Sequence, residues 1–231
     1  IERMQFKLIQ SKFNDKNNWF RLINSYLVDF NEKDYQSLKP LIIEKDIPSI
    51  QKSILSGALT YEKLTLFYLY RIKKIEFNKD TYLNSIISLN HNIVIEAREK
   101  DKKKPNSIYS LYGIPILLKD NINFYGLPTT AGSVLLKDNI SEDSYVVKKL
   151  KESGAIVLGK TNLSEWAYYF CAGCPLGYSA IGGQTLNPYG RKIFESGGSS
   201  SGSGAAISAN LSSVALGSET SGSILSPSSL N

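Results

Sequence analysis

The stretch Gly113-Ile-Pro-Ile-Leu-Leu-Lys-Asp-Asn121 is a clear indication of the fold class of this chain. Its apolar residues follow one another without polar alternation, which predicts a strand that is buried on both faces. Ala155-Ile-Val-Leu158 is a second run of this kind. Between the two runs, an amphipathic segment that begins at Ser141 and ends at Gly154 predicts a helix. Strands that alternate with helices indicate an α/β fold with helices on both faces of the sheet.

Further helices are predicted on either side of this core. The first forty or so residues predict one or two helices, and Thr60 is placed to cap another, with Glu62 in its first turn. A second amphipathic segment, interpreted as helical, spans about residues 86–99. A last helix is expected to carry Leu163, Trp166 and Ala167. We therefore divide the chain into an N-terminal helical segment, residues 1–46, and a larger unit, residues 47–231.

Composition limits the classes of partner. The formal net charge is +6, but the densest basic run, at residues 100–104, lacks interleaved aromatic residues and is interpreted as a solvated loop. No apolar run approaches the roughly 18 residues that a membrane span needs. We expect neither a direct nucleic-acid partner nor a membrane span, and localisation stays open.

The two cysteines form a single motif, Cys171-Ala-Gly-Cys174. Zinc would need a second pair of ligands, and the only histidine, His91, is distant in sequence. We interpret the cysteines as two small half-buried residues or a local disulfide rather than a metal or redox centre. No metal and no cofactor is predicted.

Two glycine- and serine-rich loops indicate a functional site. They are Glu195-Ser-Gly-Gly-Ser-Ser-Ser-Gly-Ser-Gly-Ala-Ala206 and Leu216-Gly-Ser-Glu-Thr-Ser-Gly-Ser-Ile224. A flexible linker would repeat Gly and Ser without apolar residues, whereas here apolar residues interrupt the run. The small residues between the loops predict one helix and one strand. Serine hydroxyls in such loops can act as nucleophiles or carry protons.

A serine nucleophile needs a base, and His91 lies in a polar stretch far from these loops. Lys119 is the candidate, because it follows a buried strand at the sheet edge where α/β folds place their active sites. Burial would lower its pKa and allow it to accept a proton. On spacing alone, a lysine whose stem is buried and whose ammonium reaches water explains the position equally well.

Six motifs in one order resemble the amidase signature family of Ser-Ser-Lys hydrolases. This resemblance implies a mixed central β-sheet. Two features resemble peptide-amidase-like members more than transamidating A subunits: the three serines after the paired glycines, and the segment Ser226-Pro-Ser-Ser229. The chain departs from many family members at two positions, since it has Ser221 where they have Gly and Leu225 where they have Arg. The motifs are Gly113–Ile122, Pro128–Ser133, Gly159–Ala167, Gly183–Tyr189, Gly197–Ser203 and Gly217–Pro227.

The resemblance also implies roles for individual residues. Lys119 corresponds to the family's base, Ser199 to its relay serine in a cis peptide, and Ser223 to its nucleophile. Backbone N–H groups of Thr220, Ser221 and Gly222 would meet the oxyanion. The supporting residues implied are Asp120 and Asn121 as orienters, Ser200 and Ser201 as donors or small fillers, and Glu219 as a holder of the nucleophile loop.

The function that these resemblances imply is hydrolysis of a carbon–nitrogen amide bond in a small molecule or peptide, through an acyl-enzyme. Two alternatives remain open: the A subunit of a glutamine-dependent tRNA amidotransferase, and an inactive, truncated amidase-like scaffold. Family domains continue well beyond the position of Ser223. We therefore expect this chain to be the N-terminal portion of the domain, incomplete at its C-terminus, with a C-terminal half or a second chain completing it.

Overall fold

A computed structural model describes residues 8–170 and 173–231. It contains a four-stranded sheet and a small two-stranded one, with helices packed around the larger sheet. The strands are β1 (Ile86–Leu89), β2 (Pro115–Lys119), β3 (Ile156–Thr161), β4 (Tyr178–Ser179), β5 (Gly183–Gln184) and β6 (Val214–Leu216). The helices are α1 (Lys16–Asn24), α2 (Glu32–Ile42), α3 (Ile47–Leu55), α4 (Tyr61–Glu76), α5 (Ile93–Asp101), α6 (Tyr145–Glu152), α7 (Ser201–Ser208) and α8 (Leu225–Leu230).

The central sheet is mixed, with the strand order β1-β3-β2-β6. Strand β2 runs parallel to both of its neighbours, and β1 pairs with β3 in the antiparallel sense. Every residue of β2 and β3 is buried, as expected for uninterrupted apolar runs covered on both faces. The predicted α/β fold with a mixed sheet is confirmed.

Side-chain alternation along β2 and β3 assigns residues to opposite faces of the sheet. On one face, Thr161 lies 2.7 Å from Ser203 of α7, measured between the hydroxyl oxygens. Helix α7 approaches this face closely, since a Cβ on Gly202 would lie 2.5 Å from the backbone nitrogen of Asn162. Lys119 shares this face, whereas Lys160 points to the other.

Helix α4 forms much of the apolar core beside the sheet. Its predicted N-cap is confirmed, because the Thr60 hydroxyl accepts a hydrogen bond from the backbone N–H of Lys63. The N-terminal helices are also confirmed, and α2 packs on α4 through stacked rings of Tyr35 and Phe67, whose centroids are 4.7 Å apart. These contacts tie the N-terminal helices to the main core.

The prediction of one helix over residues 86–99 was wrong. The first part is strand β1, and only the second part is helix α5. The β-branched Ile86 and Ile87 favour a strand, and the break falls at Asn90, whose side chain accepts from the Asn92 N–H and donates to the Val157 carbonyl. Because the Asn90 side chain is bonded to the backbone two residues further along the chain, the strand ends here and α5 begins after it.

Two other helix predictions need correction. Helix α6 begins at Tyr145 and not near Ser141, because Ser144 is the N-cap and has extended backbone, with a φ of −62° and a ψ of 161°. Where a helix with Leu163 was expected, the structure has one short 3-10 turn, Glu165–Tyr168. Trp166 and Ala167 there have φ values of 49° and 56°, in the left-handed region, which a right-handed helix cannot contain.

No helix within residues 8–170 and 173–231 is long and apolar enough to cross a membrane. The interpretation of the Cys171–Cys174 motif rests partly on Cys171, which lies outside the described residues.

Candidate active site

The side chain of Lys119 is buried at the carboxyl end of β2. Its Nζ donates hydrogen bonds to the hydroxyl oxygens of Ser199, at 2.7 Å, and Ser218, at 2.8 Å. Burial lowers the pKa of Lys119 to about 8, because the ammonium loses hydration, while the negative charge of Glu219 acts in the opposite direction. An amine with this pKa is partly neutral at physiological pH and can accept a proton.

Ser199 lies two residues before the first residue of α7, Ser201. The Gly198–Ser199 peptide bond is cis, as the family resemblance implies. The Ser199 carbonyl accepts a hydrogen bond from the Ser164 N–H at 3.0 Å. Gly198 leaves no room for a side chain, since a Cβ would lie 2.5 Å from the Ser164 hydroxyl. The Ser199 side chain is almost fully buried beside Lys119.

Ser223 is the third member of a continuous hydrogen-bond chain. The Ser199 hydroxyl donates to the Ser223 hydroxyl at 3.0 Å, and the Ser200 backbone N–H donates to the Ser223 carbonyl at 3.0 Å. Ser223 is half-buried, whereas Ser199 and Lys119 are buried. The chain of polar groups therefore leads from a buried amine to a hydroxyl that a substrate can reach.

The carboxylate of Glu219 organises the loop around Ser223. It accepts hydrogen bonds from the backbone N–H groups of Gly222, Ile224 and Leu225, the last at 3.1 Å. These donors favour the ionised form and hold the pKa of Glu219 below its usual value. Several backbone groups thus converge on one side chain, which fixes the shape of the loop.

The predicted oxyanion donors occupy the segment between Glu219 and Ser223. Thr220 and Ser221 are exposed. Gly222 adopts a φ of 88°, which glycine accepts readily, and its N–H is bonded to Glu219. In this structure one of the three predicted donors is therefore already engaged by a carboxylate.

Asn121, Ser200 and Ser218 form a second polar group beside Lys119. The Ser218 hydroxyl accepts from Lys119 and, at 2.9 Å, from Asn121 Nδ2, while its backbone N–H donates to the Ser200 hydroxyl at 3.3 Å. Asn121 and Ser200 are thus linked to Lys119 through Ser218. Sequence reasoning missed Ser218, although its place directly before Glu219 in the serine-rich loop was an available signal.

Ser201 and Asp120 do not point into this hydrogen-bond chain. The Ser201 hydroxyl donates to the Gly197 carbonyl at 2.7 Å and so stabilises the turn that leads into α7. The Asp120 carboxylate accepts from Thr130 and forms a buried ion pair with Lys160. Sequence reasoning placed Asp120 near the site but did not identify Lys160 as its partner.

The geometry suits activation of a hydroxyl nucleophile. A buried amine with a lowered pKa lies within hydrogen-bond reach of one serine, and that serine lies within reach of another. Within the described parts of the chain, no three His, Cys, Asp or Glu side chains cluster closely enough to hold a metal ion.

Comparison with protein families gives a match to the Amidase family model over residues 63–231. A probable amidase of Arabidopsis thaliana is 43% identical over 196 residues, which is 82% of this chain and 37% of the relative. The A subunit of the glutamyl-tRNA(Gln) amidotransferase of Thermoanaerobacter pseudethanolicus is 40% identical over 171 residues, or 73% of this chain and 33% of that relative.

Two solved structures are also similar. An amidase family protein from Bacillus anthracis superimposes with a TM-score of 0.89 at 40% identity, covering 97% of this chain and 44% of that protein. The native peptide amidase from Stenotrophomonas maltophilia gives a TM-score of 0.75 at 44% identity, covering 79% of this chain and 38% of that enzyme. The chain thus spans less than half the length of these relatives.

Proposed function

The chain belongs to the amidase family, and we propose that it carries the catalytic residues of an enzyme that hydrolyses amides through a serine nucleophile. The observation that carries this proposal is the hydrogen-bond chain from Lys119 through Ser199 to Ser223, with donor–acceptor distances of 2.7 and 3.0 Å. Residues 47–231 would form the N-terminal portion of the amidase domain.

The reaction begins with Lys119 in its neutral form and with both hydrogen bonds reversed, so that Ser223 donates to Ser199 and Ser199 donates to Lys119. As the Ser223 oxygen attacks the amide carbonyl, its proton passes to Ser199, and the Ser199 proton passes to Lys119, which becomes an ammonium. The new bond joins the Ser223 oxygen to the carbonyl carbon. The carbonyl oxygen becomes an oxyanion, so the positive charge that forms on Lys119 is matched by a negative charge on the substrate.

Backbone N–H groups of Thr220, Ser221 and Gly222 receive this oxyanion. A preorganised donor of this kind lowers a barrier by about 3 to 4 kcal/mol. Gly222 contributes only after it exchanges its bond to Glu219 for one to the oxyanion, while Ile224 and Leu225 keep the carboxylate in place.

Collapse of the tetrahedral intermediate breaks the carbon–nitrogen bond. The proton held by Lys119 returns through Ser199 to the leaving nitrogen, which departs as ammonia or an amine. Water then attacks the Ser223 ester with the same relay as base, and the carboxylic acid product is released. The relay ends each half-reaction in its starting protonation state.

We place the substrate among linear amides of small molecules or of peptide C-termini. The peptide amidase of Stenotrophomonas maltophilia supports this class through its 44% identity. A groove of about 710 Å³ beside β6 is lined by Val214, Ala215 and Ile224. In the described part of the chain, β6 is an edge strand of the sheet. We propose that a C-terminal half or a second chain covers this edge and completes the pocket that binds the acyl part of the substrate.

Release of ammonia from a small panel of primary amides, including a C-terminal peptide amide, tests the proposal. Lys119→Ala, Ser199→Ala and Ser223→Ala should each abolish release, and Ser56→Ala, at an exposed serine outside the groove, is the matched control. A fluorophosphonate should label Ser223 and no residue in the Ser223→Ala variant. Normal turnover by Lys119→Ala would refute the relay.

A second candidate is the A subunit of a glutamine-dependent tRNA amidotransferase, which the 40% identity to the Thermoanaerobacter protein favours. That function predicts glutaminase activity that depends on charged tRNA, and copurification with a second protein of the complex. An inactive scaffold predicts neither activity nor labelling of Ser223. The same panel, with glutamine and charged tRNA added, distinguishes all three.

A further inference from the structure

A buried ion pair lies on the face of the sheet opposite to Ser199. Lys160 Nζ is 3.1 Å from an Asp120 carboxylate oxygen, and both side chains are fully buried or nearly so. Lys160 also donates to the Thr129 hydroxyl at 3.0 Å, and Asp120 accepts from the Thr130 backbone N–H at 3.1 Å. No step of the proposed reaction uses this pair.

Its position relates it directly to the proton-accepting amine. Asp120 follows Lys119 in the chain, and Lys160 pairs with Leu118 in the parallel register of β2 and β3. Because side chains alternate along a strand, the pair lies behind the backbone that carries Lys119. Its charges are excluded from water, so they act on Lys119 with little screening.

We propose that Lys160 is a positioning residue for Lys119. The positive charge of Lys160 neutralises the Asp120 carboxylate, so that no net charge lies behind the Lys119 amine. This inference rests on the proposed function. An unpaired Asp120 carboxylate would stabilise the Lys119 ammonium and withdraw the neutral base from the reaction at neutral pH. Lys160 thereby keeps Lys119 available as a proton acceptor.

Among the described residues, the other charged groups near Lys119 are few. Glu219 faces it from the nucleophile loop, and Asp120 and Lys160 belong to the ends of β2 and β3. Strand β6 and helix α7 have no ionisable side chains, as their sequences show. Burial raises the pKa of Asp120 and lowers that of Lys160, and the charge of each partner opposes this change in the other.

The test is the pH dependence of fluorophosphonate labelling at Ser223, in the full protein, for wild type and variants. In Lys160→Met the Asp120 carboxyl has no partner, so burial raises its pKa further, and the negative charge that it keeps should move the midpoint of the rise in labelling upward by up to about one pH unit, for a charge roughly 10 Å away at an effective dielectric near 20. Labelling below the midpoint should then fall by up to about tenfold. Asp120→Asn/Lys160→Met removes both charges and should return the midpoint toward its wild-type position, and exposed Lys137→Met is the control.

If Lys160→Met lowers labelling equally at every pH and leaves the midpoint of its rise with pH at the wild-type value, the inference is overturned. A purely structural role of Lys160 would give that result. If Lys160→Met does not fold, Asp120→Asn tests the opposite change, because it leaves a buried positive charge. The midpoint of labelling should then move to lower pH, and a midpoint that does not move overturns the inference. Failure of the proposed function is distinct: wild type would then not label at Ser223, or would label independently of Lys119.

Discussion

Replacing Lys119 by methionine tests the account through the pH dependence of unfolding. The pKa of Lys119 falls from 10.5 in its unperturbed state to about 8 in the folded protein. Between these two values the unfolded chain binds more protons than the folded one, so the free energy of unfolding rises with pH. Below pH 8 both states are protonated, and Lys119 contributes no pH dependence.

Integration of this difference from pH 7 to pH 10 gives about 2.5 kcal/mol. Wild type should gain that amount over this range relative to Lys119→Met, which lacks the titrating group. Because many other groups titrate above pH 9, only the difference between the two proteins is informative.

Urea unfolding followed by circular dichroism at pH 7, 8.5 and 10 measures this difference. Exposed Lys137→Met is the control, and its curve should stay parallel to that of wild type. If the difference between wild type and Lys119→Met is constant with pH to within about 0.5 kcal/mol, Lys119 does not have a lowered pKa, and the reasoning fails.

Three further predictions concern the support of the site. Glu219→Gln keeps the size of the side chain but loses the charge that holds the loop, so fluorophosphonate labelling above pH 9 should slow about tenfold, while the midpoint of its rise with pH moves downward because the Glu219 charge no longer raises the pKa of Lys119. Gly202→Ala, whose new methyl would lie 2.5 Å from the Asn162 nitrogen, should lower the unfolding free energy by about 2 kcal/mol in urea titrations. Lys160→Met should cost about 3 to 5 kcal/mol of stability in the same titrations, and additional Asp120→Asn should restore much of it; equal costs for single and double variants would contradict the ion pair.

The sequence allowed prediction where apolar patterning and a local motif agreed. The buried strands β2 and β3 follow from uninterrupted apolar runs, and the position of Lys119 at the end of β2 follows from the same pattern. The Thr60 cap follows from local hydrogen bonding. The catalytic roles of Ser199 and Ser223 came from the resemblance and stay predictions, although the structure brings their side chains together.

Failures occurred where contacts distant in sequence decide the conformation. Residues 86–99 have a helical pattern, but pairing with β3 makes the first part a strand. The left-handed backbone at Trp166 is held partly by its N–H bond to the Ala131 carbonyl, which no local pattern encodes. Lys160 pairs with Asp120, 40 residues away in sequence, and Ser218 bonds to Lys119, 99 residues away, so spacing alone could not reveal either contact.

The rate of fluorophosphonate labelling at Ser223 from pH 6 to pH 10, in wild type and Lys119→Ala, measures whether Lys119 activates Ser223. The wild-type rate should rise with a midpoint near the pKa of Lys119, about 8, and Lys119→Ala should label at least about a hundredfold more slowly at pH 8. A Lys119→Ala variant that labels Ser223 at the wild-type rate would contradict this role of Lys119.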